Sequence, residues 1–192
     1  MPFQLTPIQI AAAAVVLVLV VAIAVGFYLR HRKTRTLGFK NRFGSEYDRA
    51  VLQHGTPKKA EAKLADRENR VEKMKICELS PTERERFAAE WQTVQSRFVD
   101  HPKSAVTEAD DLINAVLEAR GYPKNGFEQR AADVSVTYPR LMENYRVGHD
   151  IAFRSGKSDA STEELRTAMI QYRAIFEELV QEQAVGKVRT AA

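Results

Sequence analysis

The side chains able to do chemistry are few and scattered. Four histidines stand at His31, His54, His101 and His149, and a single cysteine at Cys77. Metal sites bring ligands into register at short spacings such as HxxxH or HExxH, and no two of these histidines are that close. Cys77 has no CxxC partner and cannot form a disulfide within the chain; in a cytoplasmic setting it stays reduced. His149 lies one or two helical turns from Tyr145 and Phe153 and reads as a partly buried, hydrogen-bonded histidine. His101, before Pro102, suits a bond to a carbonyl at a helix junction. Gly156-Lys157-Ser158 imitates the end of a P-loop, but that motif needs a glycine where Ile151 stands, and a preceding strand. The pairs Asp110-Asp111 and Glu177-Glu178 diverge by about 100° on a helix. No GxSxG or GxGxxG run occurs. The expectation is a chain without a catalytic constellation, cofactor or metal site.

The densest group of hydrogen-bonding residues surrounds a turn. Arg120, Tyr122 and Lys124 precede Glu128, Gln129, Arg130 and Asp133. Loops on rigid scaffolds often carry binding, which makes Arg120, Tyr122, Glu128 and Arg130 a candidate partner surface. A salt-bridged corner that fixes helix order is the competing reading.

The elements that must position these residues follow from charge and periodicity. The 192 residues include 29 Lys+Arg and 25 Asp+Glu, net +4, yet residues 1–29 carry no charged side chain. From Ile10 to Leu29 the chain is apolar except for Gly26 and Tyr28, and twelve of these twenty residues are Ile, Val, Leu or Phe. Twenty helical residues span about 30 Å, the thickness of a bilayer's hydrocarbon core. The twelve apolar side chains contribute about -4 to -7 kcal/mol toward insertion. Ala22 and Gly26 have the small-xxx-small spacing that lets helices approach. Arg30, Arg32, Lys33, Arg35, Lys40 and Arg42 follow, with no acid before Glu46. This is a stop-transfer flank rather than a cleavage site. The positive-inside rule places residues 1–9 outside and the body in the cytoplasm, and the six cations also suit an anionic leaflet.

Without those six cations, 23 Lys+Arg face 25 Asp+Glu, leaving the body at net -2. This excludes the concentrated basic face that nucleic-acid binding needs. Residues 45–79 predict a charged helical stalk: Ser45 resembles an N-cap, Pro57 reopens a helix, and 11 of the 19 residues from Pro57 to Lys75 are charged. Ala60, Leu64, Val71 and Met74, with Arg67 in the missing slot, form a thin stripe suited to a short coiled-coil seam or to packing on the chain's own domain.

Residues 80–181 predict a helical bundle, with 182–192 as a flexible tail. Ser80-Pro81-Thr82-Glu83 and Ser161-Thr162-Glu163-Glu164 read as capping boxes. Phe87, Trp91, Val94 and Phe98 share one helix face; Ala105, Ala109, Leu112, Ile113, Val116 and Leu117 share another, stopped by Gly121. A short helix starts at Phe127, a further one at Pro139, and Leu165, Met169, Tyr172, Phe176 and Leu179 make the last stripe. The fold class expected is all-α: one N-terminal transmembrane helix, a stalk, and a cytoplasmic bundle of about four main helices plus a short one.

Arg84–Asp100, Arg120-Gly121-Tyr122-Pro123, Phe127–Asp133 and Phe43-Gly44-Ser45-Glu46-Tyr47 together resemble a family of bacterial single-span membrane proteins with a helical soluble body and no assigned function. The family pattern has Pro where this chain has Ser45. The resemblance covers most of residues 39–180. It implies a bacterial protein with one N-terminal span, and carries over no activity and no catalytic residues. The functional expectation is a membrane-anchored interaction or scaffold module, with the lipid bilayer and another membrane protein as partners, a possible homodimer, and no nucleic acid. The alternative is a membrane-bound enzyme or small-ligand binder with a site inside or at the corner of the bundle. A pocket where His149, acids and arginines converge would favour that alternative.

Overall fold

Prolines and capping side chains set where most helices begin. Pro57, Pro81 and Pro102 each occupy the first turn, where a missing N–H costs nothing. Thr56 Oγ1 accepts from the Lys59 amide at 3.4 Å. Ser80 and Glu83 cap each other's backbone amides (2.8 and 3.3 Å), as do Ser161 and Glu164 (2.8 and 3.3 Å). The computed structural model describes residues 7–157 and 160–181, with the side chains of 7–16, 18, 28, 29, 31, 32 and 181 outside that description. Eight α-helices are described: α1 (Pro7–Phe43), α2 (Ser45–His54), α3 (Pro57–Glu72), α4 (Pro81–Arg97), α5 (Pro102–Ala119), α6 (Phe127–Thr137), α7 (Met142–Ser155) and α8 (Thr162–Gln181). A 3-10 turn, Pro139–Leu141, leads into α7, so Pro139 opens a turn rather than α7 itself. No strand occurs among the described residues, and the chain is all-α.

The chain divides into two compact units, Met1–Arg42 and Phe43–Ala192. The first is a helix running unbroken through both the apolar stretch and the cationic flank. That flank was expected as a separate segment over 30–44, but it contains no proline and continues the helix to Phe43. Leu17, Leu19, Val20, Val21, Ile23, Val25 and Phe27 are all exposed. The described side chains of the expected span 10–29 are those of residues 17 and 19–27, and among the described residues no helix is long and apolar enough to cross a membrane. The expected flexible tail, 182–192, lies outside the described residues, as do residues 1–6.

In the second unit the predicted stripes form one core. Phe87, Trp91 and Val94 of α4, the six predicted α5 residues plus Val106, and the five predicted α8 residues are all buried. Trp91 stacks on Phe176 at 4.8 Å between centroids. The four long helices and the short α6 match the bundle read from sequence.

The stalk does not stand. Residues 45–79 belong to the same compact unit as the bundle, and Phe43, Tyr47, Ala50, Ala60, Leu64 and Leu79 are buried. The stripe on α3 is spent inside the unit, which removes it as a seam for a second copy. The reason is that α3 carries charges able to pair with distant helices, so its high charge does not keep it in water. Ser45 is the first helical residue; the cap position is Gly44, at φ 54. The link from α3 to α4 passes closely beneath the end of α5: the Cys77 amide donates to the Arg120 carbonyl at 3.0 Å. Gly121 makes this possible. It sits at φ 94, and a Cβ there would lie 2.4 Å from the Lys75 carbonyl oxygen.

Two substitutions test this architecture by thermal or urea unfolding of the full chain. Leu64→Ala should cost about 2–5 kcal/mol and lower the single transition of the whole unit; an unchanged bundle transition would restore the independent stalk. Gly121→Ala should cost about 2–4 kcal/mol, from left-handed strain plus the clash.

Candidate functional site

The site grows from one polar residue in an apolar slot. On α5, Asp110 lies four residues after Val106, three before Ile113 and seven before Leu117, all fully buried. Its carboxylate is reached from two other helices. Tyr172 Oη of α8 donates to Oδ1 at 2.6 Å, and His149 Nδ1 of α7 sits 3.1 Å from the same oxygen. Asn114 Nδ2 donates to Oδ2 at 3.3 Å. An ionised carboxylate only accepts, so in this pair Nδ1 is the donor and Nε2 is turned away from Asp110.

The network continues through Asn114. Its Oδ1 accepts from Tyr145 Oη at 3.1 Å and from Arg130 Nη1. Gly148 lets α7 approach α8, since a Cβ there would stand 3.1 Å from the Tyr172 ring. Burial, reinforced by the Asp110 charge, pushes both the Tyr145 and Tyr172 hydroxyls well above the usual phenol range. Both therefore stay protonated as donors.

His149 also stacks on Phe127 of α6, 3.6 Å between centroids and 7° between planes. Its ring is thus fixed at its edge by Asp110 and on its face by Phe127. It lines an open groove of about 670 Å³ formed by α2, α6, α7 and α8. Apolar Val147, Ile151 and Phe153 face the groove alongside Arg49, Arg146 and Arg154 and the acids Glu128, Asp150 and Glu164.

Two of these arginines are held by pairs of acids. Arg146 donates to buried Glu46 (3.1 and 3.3 Å) and to exposed Glu128 (3.0 Å). Arg154 bonds Asp150 at 3.1 Å and Glu164 at 2.7 Å. The Ser161 backbone, Arg154 and the Ser161 hydroxyl together hold the Glu164 carboxyl down at about 2. Arg49 has no ion-pair partner among the described residues.

The turn cluster is brought to one corner but not to one surface. Arg120, Tyr122 and Arg130 are buried, which corrects their reading as a partner surface. Arg120 Nη1 donates to the Leu179 carbonyl at 2.6 Å, and Tyr122 Oη to Thr137 Oγ1 at 3.0 Å. They tie the α5 end to α6 and α8, the fixed-corner reading. Of the four candidate residues Glu128 alone stays exposed, on the groove rim. The polar character is right, but the turn folds inward because Arg120 reaches the Leu179 carbonyl and the Tyr122 ring joins the apolar core. Of the cationic flank, Arg30, Lys33, Arg35, Lys40 and Arg42 are exposed on α1, and the Arg32 side chain lies outside the described residues.

Several residues of the site escaped the sequence. Asp110 reads in sequence as half of a divergent pair, and the signal for its role is its apolar slot on α5. Arg146 and Glu46 stand 100 residues apart, and nothing local announces them. Cys77 is exposed and free, with Sγ 3.7 Å from the Ala119 carbonyl. Among the described residues no His, Cys, Asp and Glu group could hold a metal ion. Compared with protein-family models, with curated proteins and with solved structures, the chain finds no match in any of the three.

Tyr172→Phe should destabilise the unit by about 1–3 kcal/mol. The tyrosine contribution is complete below about pH 10 and is lost as pH rises further, because unfolded phenols ionise there while the buried ones do not. Urea unfolding across the alkaline range should show that loss, with a shallower slope in the variant; an identical slope would deny Tyr172 its place in the network.

Proposed function

We propose that this chain is a membrane-anchored, non-enzymatic recognition module that engages its partner through the His149 groove. The groove itself carries the reading. An imidazole locked on two sides, exposed Val147 and Phe153, and ion-paired arginines meet in one concavity, and a rigid polar group beside apolar area is what specific recognition uses. The partners on this reading are the lipid bilayer and another protein at the membrane.

The anchor is α1. Twenty uncharged residues lie within it, its described apolar side chains are exposed, and six cations follow at one end only. A helix of 37 residues is about 55 Å long, well beyond the hydrocarbon core of about 30 Å. Lipid takes residues 10–29 and the cationic turns continue past it. The cation asymmetry puts the N-terminus outside and the body in the cytoplasm of a bacterial inner membrane, in keeping with the family resemblance.

One observation favours a second reading. Asp110 holds His149 in the tautomer a general base requires. Thr167, the hydroxyl lining the groove, donates to the Glu163 carbonyl at 2.9 Å, so a hydrolytic role would use water as nucleophile.

Full-length chain should resist carbonate washing of membranes, and Leu19→Arg/Ile23→Arg, at about 2.5–3.5 kcal/mol per charge, should release it. A reporter after Ala192 should be active only in its cytoplasmic form. Photo-cross-linkers at Val147 and Phe153 should give a discrete adduct in native membranes that His149→Ala abolishes. A released wild-type chain, or an adduct indifferent to His149, would sink the anchor or the groove respectively. Ester hydrolysis lost in His149→Ala would replace the reading with the second one.

A further inference from the structure

A second groove, open and about 550 Å³, lies between α2, α3 and α6. Its walls carry Arg49 and His54 from α2 and Lys63, Arg67 and Arg70 from α3, against the acids Asp66 and Glu128. Lys63, Arg67 and Arg70 are four and three residues apart, so they share one face of α3. Four cations therefore line it with two carboxylates, and two further carboxylates, Glu46 and Asp133, stand beside Arg67 and Arg70.

The existing partners leave this positive charge incompletely used. Lys63 and Asp66 are 3.8 Å apart and both exposed, a pairing that water readily replaces. Arg70 directs Nε and Nη2 at one oxygen of Asp133, at 2.7 and 2.6 Å. Arg67 is only 13% exposed; its Nη1 lies 3.6 Å from Glu46 and makes no hydrogen bond. Arg49 has no ion-pair partner among the described residues. That nitrogen is closed to solvent, so Arg67 offers the groove its charge rather than this N–H. Burial lowers the pKa of Arg67, Glu46 opposes this, and the Arg146 and Arg70 charges lower it further. An anion in the groove would relieve that repulsion.

We infer that this groove binds a phosphate monoester with a polar ester group. A carboxylate has two oxygens and suits one arginine fork. A phosphate monoester has three terminal oxygens and close to two negative charges, and can engage exposed Arg49 and Lys63 together while the Arg67 charge lies behind them. The remaining wall is Gln53, His54 and Gln129, which suits hydroxyls better than hydrocarbon. The same chemistry occurs on a small phosphorylated polyol and on a monoester lipid headgroup. This goes beyond the His149 reading; Arg49 and Glu128 border both grooves, whereas Lys63, Arg67 and Arg70 line this one and not the His149 groove.

The test uses full-length chain in detergent micelles, with glycerol phosphate as soluble probe, glycerol as its uncharged control, and phosphatidylcholine vesicles with or without phosphatidic acid. Glycerol phosphate or the phosphatidic acid vesicles should bind and raise the melting temperature, and which probe succeeds identifies the source. Arg49→Ala/Lys63→Ala should weaken binding about tenfold or more without shifting the ligand-free melting temperature, because both side chains are exposed. Asp66→Ala removes the opposing carboxylate and should tighten binding, an effect that loss of folding cannot mimic. No response to either probe, equal response to glycerol, or unchanged affinity in the double variant overturns the assignment.

Discussion

A carboxylate inside a helical core has to be satisfied, and Asp110 is satisfied by side chains from three helices. Its own neighbour Asn114, His149 on α7 and Tyr172 on α8 all donate to it. Apolar stripes alone attract without direction, and helices packed only by them tolerate sliding and rotation. Hydrogen bonds to one largely covered charge do not, because each lost donor leaves desolvation uncompensated. The Asp110 network therefore sets the rotation of α7 and α8 against α5. That rotation is what turns His149 toward the groove.

A second set of charges performs the same task at the other edge. Glu46 is buried and accepts from Arg146 while Arg67 lies 3.6 Å away. Asp133 is 1% exposed and accepts from Arg70 and Gln129. These pairs attach α2 and α3 to α6 and α7. Where helices are joined by ion pairs, side chains do not interdigitate fully, and this is where both grooves open. The grooves and the interhelical pairs thus share one cause.

Much of the fold was legible in the residues. The apolar stripes, both capping boxes and the Gly121 stop are local consequences of helical spacing and backbone geometry, and each appears where its residue types place it. His149 is partly buried and hydrogen-bonded, as its sequence position suggests, but its partner is Asp110 and the ring that stacks on it is Phe127, neither of which local spacing names. The stalk failed because charge density is an average, whereas burial depends on where partners stand. Glu46 and Glu61 are buried although they are formally ordinary surface residues. The turn cluster failed in the same way: Arg120 and Arg130 look like solvent residues until a carbonyl of α8 and an amide of α5 reach them.

What the sequence determined by itself is therefore everything that depends on near neighbours. It set the helices and their ends, which faces are apolar, and the asymmetry between an uncharged N-terminal stretch and the six cations after it. The tertiary structure decided which charges are buried, that residues 45–79 join the body, and that His149, Phe127 and the arginines meet in one concavity. Those outcomes rest chiefly on pairs such as Arg146–Glu46, His149–Asp110 and Arg146–Glu128, which stand 100, 39 and 18 residues apart, and no local spacing rule encodes a contact at that distance.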